Sequence, residues 1–124
     1  ELLETLKGKY EMYLISNGTA MVQDARLRDS GMEQYFKGLF ISERVGVDKP
    51  QKEFFDRSFA AIPVFDPGQA MIIGDSLTSD IRGGNNAGVQ TCWYNPKHKP
   101  RRADIHVDYE ISELMELPKL LDTF

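Results

Sequence analysis

The sequence predicts an α/β fold, a parallel sheet flanked by helices. Short, continuously apolar runs recur along the chain: Leu14-Ile15, Leu39-Phe40-Ile41, Met71-Ile72-Ile73 and Cys92-Trp93-Tyr94. Segments with helical spacing separate them, and Gly, Pro or Asn-Gly punctuates the joins. Apolar runs without polar alternation suit strands covered on both faces, the situation that crossover helices create in a parallel sheet.

Each element has its own justification. Leu2, Leu3 and Leu6 share the face of a helix end that Gly8 stops. Residues 10–16 (YEMYLIS) read as a strand, followed by an Asn17-Gly18-Thr19 turn and a weakly periodic helix over 20–29. Residues 39–41 form a short strand. Asp48-Lys49-Pro50 opens a helix with Phe55, Phe59 and Ile62 on one face. Residues 70–74 (AMIIG) read as a buried strand. Leu77, Ile81, Gly84 and Ala87 then recur at helical spacing before Gly88, a natural stop. Gln90–Tyr94 is a further strand, and residues 104–107 suggest a short edge strand. Ser112 is positioned to cap a helix through Leu117, with Pro118 starting another turn.

Composition narrows the function classes. At 124 residues, 41% apolar and 27% charged, the chain suits one small folded domain and not a disordered one. Asp plus Glu (19) exceeds Lys plus Arg (15), which disfavours a nucleic acid polymer as partner. The apolar runs are far shorter than the roughly 20 residues that span a bilayer, so no membrane partner is expected. The opening residues read as a charged amphipathic segment, not a secretory signal. Cys92 is the one cysteine, which excludes an intrachain disulfide and suits a cytoplasmic protein. Two histidines and one cysteine, far apart in sequence, argue against zinc.

In open parallel sheets, ligands bind where the strands end. After the first strand, Ser16-Asn17-Gly18-Thr19 brings a hydroxyl, an amide and backbone N–H groups to a helix start, chemistry that suits phosphate and equally builds a capped turn. Lys49 precedes Pro50 at the mouth of a helix, where the dipole disfavours a cation unless an anion compensates; the alternative is a solvated surface lysine. Asp75 sits at a strand tip and Asp80 in the first turn of the following helix. Two such carboxylates suit Mg²⁺, while Asp80 could also serve the helix dipole. Gly83 and Gly84 each cost about 1 kcal/mol in a helix relative to alanine, which close packing on the sheet would justify.

Together and in this order, these residues resemble the haloacid dehalogenase superfamily of phosphatases. Ser16 in LISNGT matches the hydroxyl of its second motif, Lys49 in VDKP the lysine of its third, and Asp75 and Asp80 in IIGDSLTSDIRGGNNAG the acids of its fourth. The stretch from Gly74 to Asn95-Pro96 is similar to pyrimidine 5′-nucleotidase-like members. The resemblance implies a Rossmann-like core and a Mg²⁺-dependent phosphomonoester hydrolase acting through an aspartyl-phosphate. The implied partner is a small phosphorylated substrate, with nucleoside monophosphates the first to consider. Ser16 and Lys49 would be its catalytic candidates, Ser16, Asn17, Gly18 and Lys49 its phosphate-binding residues, and Asp75 and Asp80 its metal ligands. Asp80 would act through water or by orienting Lys49.

One departure matters. The family's first motif, Asp-x-Asp-x-Thr, carries its nucleophile, and this sequence contains no Asp-x-Asp. The expectation is therefore that residues 1–124 form the C-terminal part of a hydrolase core, inactive alone, with the nucleophile strand and cap supplied by a missing N-terminal segment of the same protein. The sheet should be incomplete, with an open lane between residues 10–16 and 70–74, and Ser16, Lys49, Asp75 and Asp80 should converge. A non-catalytic anion-binding or interaction module is the alternative. A receiver-type signalling domain would need an acidic cluster near its start, which is missing.

Overall fold

The computed structural model describes residues 5–6, 10–16, 32–41, 45–46, 49, 51–62 and 66–122. The chain divides into two compact units, Glu1–Asp48 and Lys49–Phe124.

In the first unit, β1 (Tyr13–Ser16) pairs in parallel with β2 (Gly38–Ile41), Tyr13 opposite Gly38 and Ser16 opposite Ile41. A parallel pair needs a long crossover between its strands, and the helix expected over 20–29 lies outside the described residues. Tyr13 stacks on Phe40, with ring centroids 5.8 Å apart. Gly38 makes room for this, since a Cβ there would stand 3.0 Å from the Tyr13 ring. β1 is shorter than the sequence pattern suggested, because the Tyr10 N–H turns back to the Leu6 carbonyl.

The second unit begins with α1 (Lys52–Ala60), which buries Phe54 and Phe55 edge to face. Its buried Ser58 satisfies its hydroxyl on the Phe54 carbonyl at 2.8 Å. Next come β3 (Met71–Gly74), a widened π turn over Leu77–Ile81, α2 (Arg82–Ala87), β4 (Gln90–Tyr94), β5 (Tyr109–Ile111) and α3 (Leu117–Asp122). β3, β4 and β5 form a parallel sheet in that order, with Gly74 opposite Trp93 and Trp93 opposite Glu110. β1 and β3 thus belong to separate sheets. Gly88 ends α2 in the left-handed region at φ 73°, the stop its position in the sequence suggested. The glycines before it have packing reasons: a Cβ on Gly83 would overlap the Phe55 ring, and one on Gly84 the Thr91 methyl. These contacts press α2 against α1 and β4.

Three local expectations need correction. The edge strand forms at Tyr109–Ile111, not at 104–107. Ile105 and Val107 alternate like strand residues, but they pack with Ile81 and Trp93 in a core cluster. The Asn85 amide takes both the His106 carbonyl and its N–H, so that backbone cannot join a ladder. Ser112 is not a helix cap. Glu113 caps the short 3-10 turn Leu114–Glu116 in a capping box, and Glu116 reaches back to the N–H groups of Ser112 and Glu113. Finally, β3 is not buried throughout, because Ile73 is 40% exposed while its neighbour Ile72 is buried.

Cys92 is fully buried on β4, and burial pushes its thiol up to about 11. At pH 8 roughly a thousandth would be thiolate. Iodoacetamide should therefore leave Cys92 unmodified in the folded protein and label it rapidly in denaturant. Labelling of the native state at the rate of a free thiol would contradict this placement.

Candidate functional site

Lys49 and Asp80 meet. The Lys49 ammonium donates to Asp80 Oδ1 at 2.5 Å, and the two side chains are only 8% and 13% exposed. Lys49 lies two residues before Gln51, the N-cap of α1, and Gln51 makes no side-chain capping bond. The anion that the helix dipole argument required is therefore present within the chain: it is Asp80. The pair is part-buried, so water screens its attraction less than that of a surface pair.

The end of β3 explains how Asp80 gets there. The Ser76 carbonyl accepts from the N–H groups of both Asp80 and Ile81, the second bond being the i to i+5 pattern of a π turn. The Ser76 hydroxyl accepts from Ser79 N–H at 3.2 Å and caps the turn. Asp80 Oδ2 faces back toward the strand, where Ser76 N–H donates to it at 3.4 Å. A Cβ on Gly74 would overlap this carboxylate, so the bare backbone of Gly74 is the floor on which Asp80 rests. The identity of residue 74 was legible, but its role as that floor was not, since it depends on the turn folding back.

Asp75 lies between the two residues that Asp80 faces. It is exposed, and its carbonyl accepts from the buried Trp93 indole N–H at 3.1 Å. The sequence placed Trp93 in the core, and it is buried there; its tethering of the β3 end was missed. No described residue hydrogen-bonds the Asp75 carboxylate. Among the described residues no group of three or more His, Cys, Asp or Glu could hold a metal ion. Any cation at this strand end would draw at most two carboxylates from them, Asp75 and Asp80. Ser16 closes β1 of the first unit. Its side chain, together with Asn17 and Gly18, lies outside what is described.

A groove of 1060 Å³ elsewhere in the second unit is lined by Asn85, Gln90, Arg101, Asp104 and His106, among others, and by none of Lys49, Asp75 or Asp80. Its charged groups already pair internally, Arg101 with Glu110, Arg102 with Asp104 and His106 with Asp108. No helix among the described residues is long and apolar enough to cross a membrane.

Comparison with known proteins bears on this cluster. Residues 1–94 match the family model described as haloacid dehalogenase-like hydrolase. The chain is 45% identical over 122 residues to the HAD-hydrolase YfnB of Bacillus subtilis, covering 98% of this chain and 52% of that protein. It is 39% identical over 123 residues to the pyrimidine 5′-nucleotidase PynA of Streptococcus pneumoniae, again covering 98% and 52%. A magnesium-bound crystal structure of YfnB superposes with a TM-score of 0.95 at 45% identity, over 98% of this chain and 53% of that one. A 2-haloacid dehalogenase from Pseudomonas syringae gives 0.86 at 33% identity, over 98% and 50%. The chain spans about half the length of the curated relatives it matches.

Proposed function

The chain belongs to the haloacid dehalogenase-like hydrolase family, and on that premise we propose that it carries the charge-neutralising part of a Mg²⁺-dependent phosphomonoester hydrolase. The observation that carries this reading is the part-buried Lys49–Asp80 pair beside the exposed Asp75 carboxylate at one strand end. A structural ion pair alone would not need beside it a second carboxylate that no described residue engages.

The residues present fit Mg²⁺. The ion takes oxygen ligands, commonly one or two carboxylates completed by water and substrate phosphate. Asp75 offers a carboxylate without a donor among the described residues, and the Gly74 floor leaves Asp80 Oδ2 facing the same strand end. When bound, Mg²⁺ would supply positive charge to the phosphoryl oxygens. Asp75 would hold it directly, and Asp80 through water. Lys49 would neutralise charge that develops on the transferring group, and Asp80 would orient its ammonium. Ser16, Asn17 and Gly18 are assigned to phosphoryl oxygens from the sequence alone. The attacking carboxylate, for which this sequence has no Asp-x-Asp-x-Thr, would come from another segment of the same protein and form the aspartyl-phosphate. Pyrimidine nucleoside monophosphates are the first substrates to try, because two relatives are named as pyrimidine 5′-nucleotidases. The lone buried cysteine accords with a cytoplasmic setting.

The test uses the full-length protein that contains this chain. Asp75→Asn should lower hydrolysis of p-nitrophenyl phosphate by about 100-fold and raise the Mg²⁺ concentration needed for half activation, with circular dichroism unchanged. Unaltered Mg²⁺ dependence would return Asp75 to the role of a surface carboxylate. Absence of Mg²⁺-dependent hydrolysis in the wild type would favour a non-catalytic anion-binding module.

A further inference from the structure

We propose that the turn Asn95–Lys99 is a cationic recognition element for the phosphorylated substrate, built by Asn95 and acting through Lys97 and Lys99. The proposal rests on the phosphatase reading and adds to it a substrate-recognition element outside the strand-end acids.

The turn is rigid for a definite reason. Asn95 is 3% exposed and uses every polar group it has. Its N–H donates to the Ile111 carbonyl at 2.7 Å, and its carbonyl accepts from His98 N–H at 3.2 Å. The side-chain oxygen accepts from Lys99 N–H at 2.9 Å, while the amide nitrogen donates to the Lys99 carbonyl at 2.9 Å and to Glu110 at 3.1 Å. His98 is held at φ 53°, in the left-handed region that few non-glycine residues occupy, histidine more readily than most. A flexible surface loop would need neither the buried amide nor this backbone conformation.

Its location is equally specific. Gly74 pairs with Trp93 on the last rung between the two parallel strands, so Asn95, two residues on, follows the end of β4 one strand over from the end that carries Asp75. Neighbouring strands lie about 4.8 Å apart, and the Trp93 indole ties the two strand ends together through the Asp75 carbonyl. The charges are also sorted. Four of the chain's 15 Lys and Arg fall at 97, 99, 101 and 102, in a chain of net charge −4. Arg101 and Arg102 are paired with Glu110 and Asp104. Lys97 and Lys99 are exposed and form no ion pair among the described residues. The nearby acids are already engaged, Glu110 by Arg101 and Asn95, Glu116 by the backbone of Ser112 and Glu113. Two lysines are thus left to present positive charge at the strand end, where an approaching phosphomonoester carries negative charge.

The experiment compares full-length wild type with Lys97→Gln/Lys99→Gln, using p-nitrophenyl phosphate for turnover and inorganic phosphate for calorimetric binding, at low and high salt. The double variant should lose about tenfold in kcat/KM at low salt, through KM, with kcat within about twofold, and its salt dependence should flatten. Phosphate binding should weaken in parallel. Asn95→Ala should raise KM in the same way; if that variant does not fold, the lysine variant decides alone. Equal KM, salt slope and phosphate affinity in the double variant and wild type would overturn the proposal, as would a wild type that binds no phosphate. A wild type that binds phosphate in a Lys97- and Lys99-dependent way but hydrolyses nothing would overturn the phosphatase reading and leave the turn's role standing.

Discussion

Asp80→Ala in the full-length protein should cost about 1–3 kcal/mol of stability, below the range for a fully buried ion pair because this one is part-buried. The size follows from what is left behind. Lys49 would retain an ammonium on a side chain only 8% exposed, having lost the carboxylate at 2.5 Å. The loss should read as a lower urea midpoint with an unchanged slope. Removing both charges, as Lys49→Met/Asp80→Leu, should recover most of that stability, because no buried charge is then uncompensated. It should not recover activity, since the ammonium that neutralises phosphoryl charge is gone. Stability and catalysis would then separate within one pair of residues. A loss below about 0.5 kcal/mol for Asp80→Ala, the range of ordinary surface substitutions, would mean that solvent screens the pair.

Phe55→Ala should cost about 3–5 kcal/mol, the range for emptying a buried aromatic site. Phe55 is fully buried, and its ring packs on the bare backbone of Gly83. The same contact makes Gly83→Ala unfavourable. Alanine should gain about 1 kcal/mol of helix propensity, but its methyl would overlap a ring that Phe54 already holds edge to face at 5.2 Å. Overpacking of this kind costs about 1–3 kcal/mol, so Gly83→Ala should be net destabilising. In a Phe55→Leu background the ring is absent, and Gly83→Ala should become neutral or stabilising. Denaturant unfolding of the four proteins in this cycle gives the coupling energy. Simple additivity would show that α2 and α1 are not locked through this contact.

The continuous apolar runs identified β2, β3 and β4 nearly to their observed limits, because burial on a sheet requires apolar residues whatever the details of packing. Gly88 marked the end of α2, because a left-handed residue after a helix favours glycine for steric reasons local to the backbone. Lys49 and Asp80 could be singled out by position, at a helix mouth and after a strand.

The sequence by itself determined the α/β class, the family resemblance and the short set of residues carrying charge at strand ends. These depend on local patterns: which residue types follow one another, and at what period. The tertiary structure alone decided that Lys49 finds its counter-charge in Asp80, 31 residues away, and that Gly74 is bare so the carboxylate can rest on it. It also decided that Ile105 and Val107 serve the core beside Trp93 while the edge strand forms four residues after Ile105, at Tyr109. An apolar-polar alternation is compatible with a strand or with a loop pinned by side chains. Only the Asn85 amide, brought against His106 by folding, selects the second by occupying the backbone groups that a ladder would need.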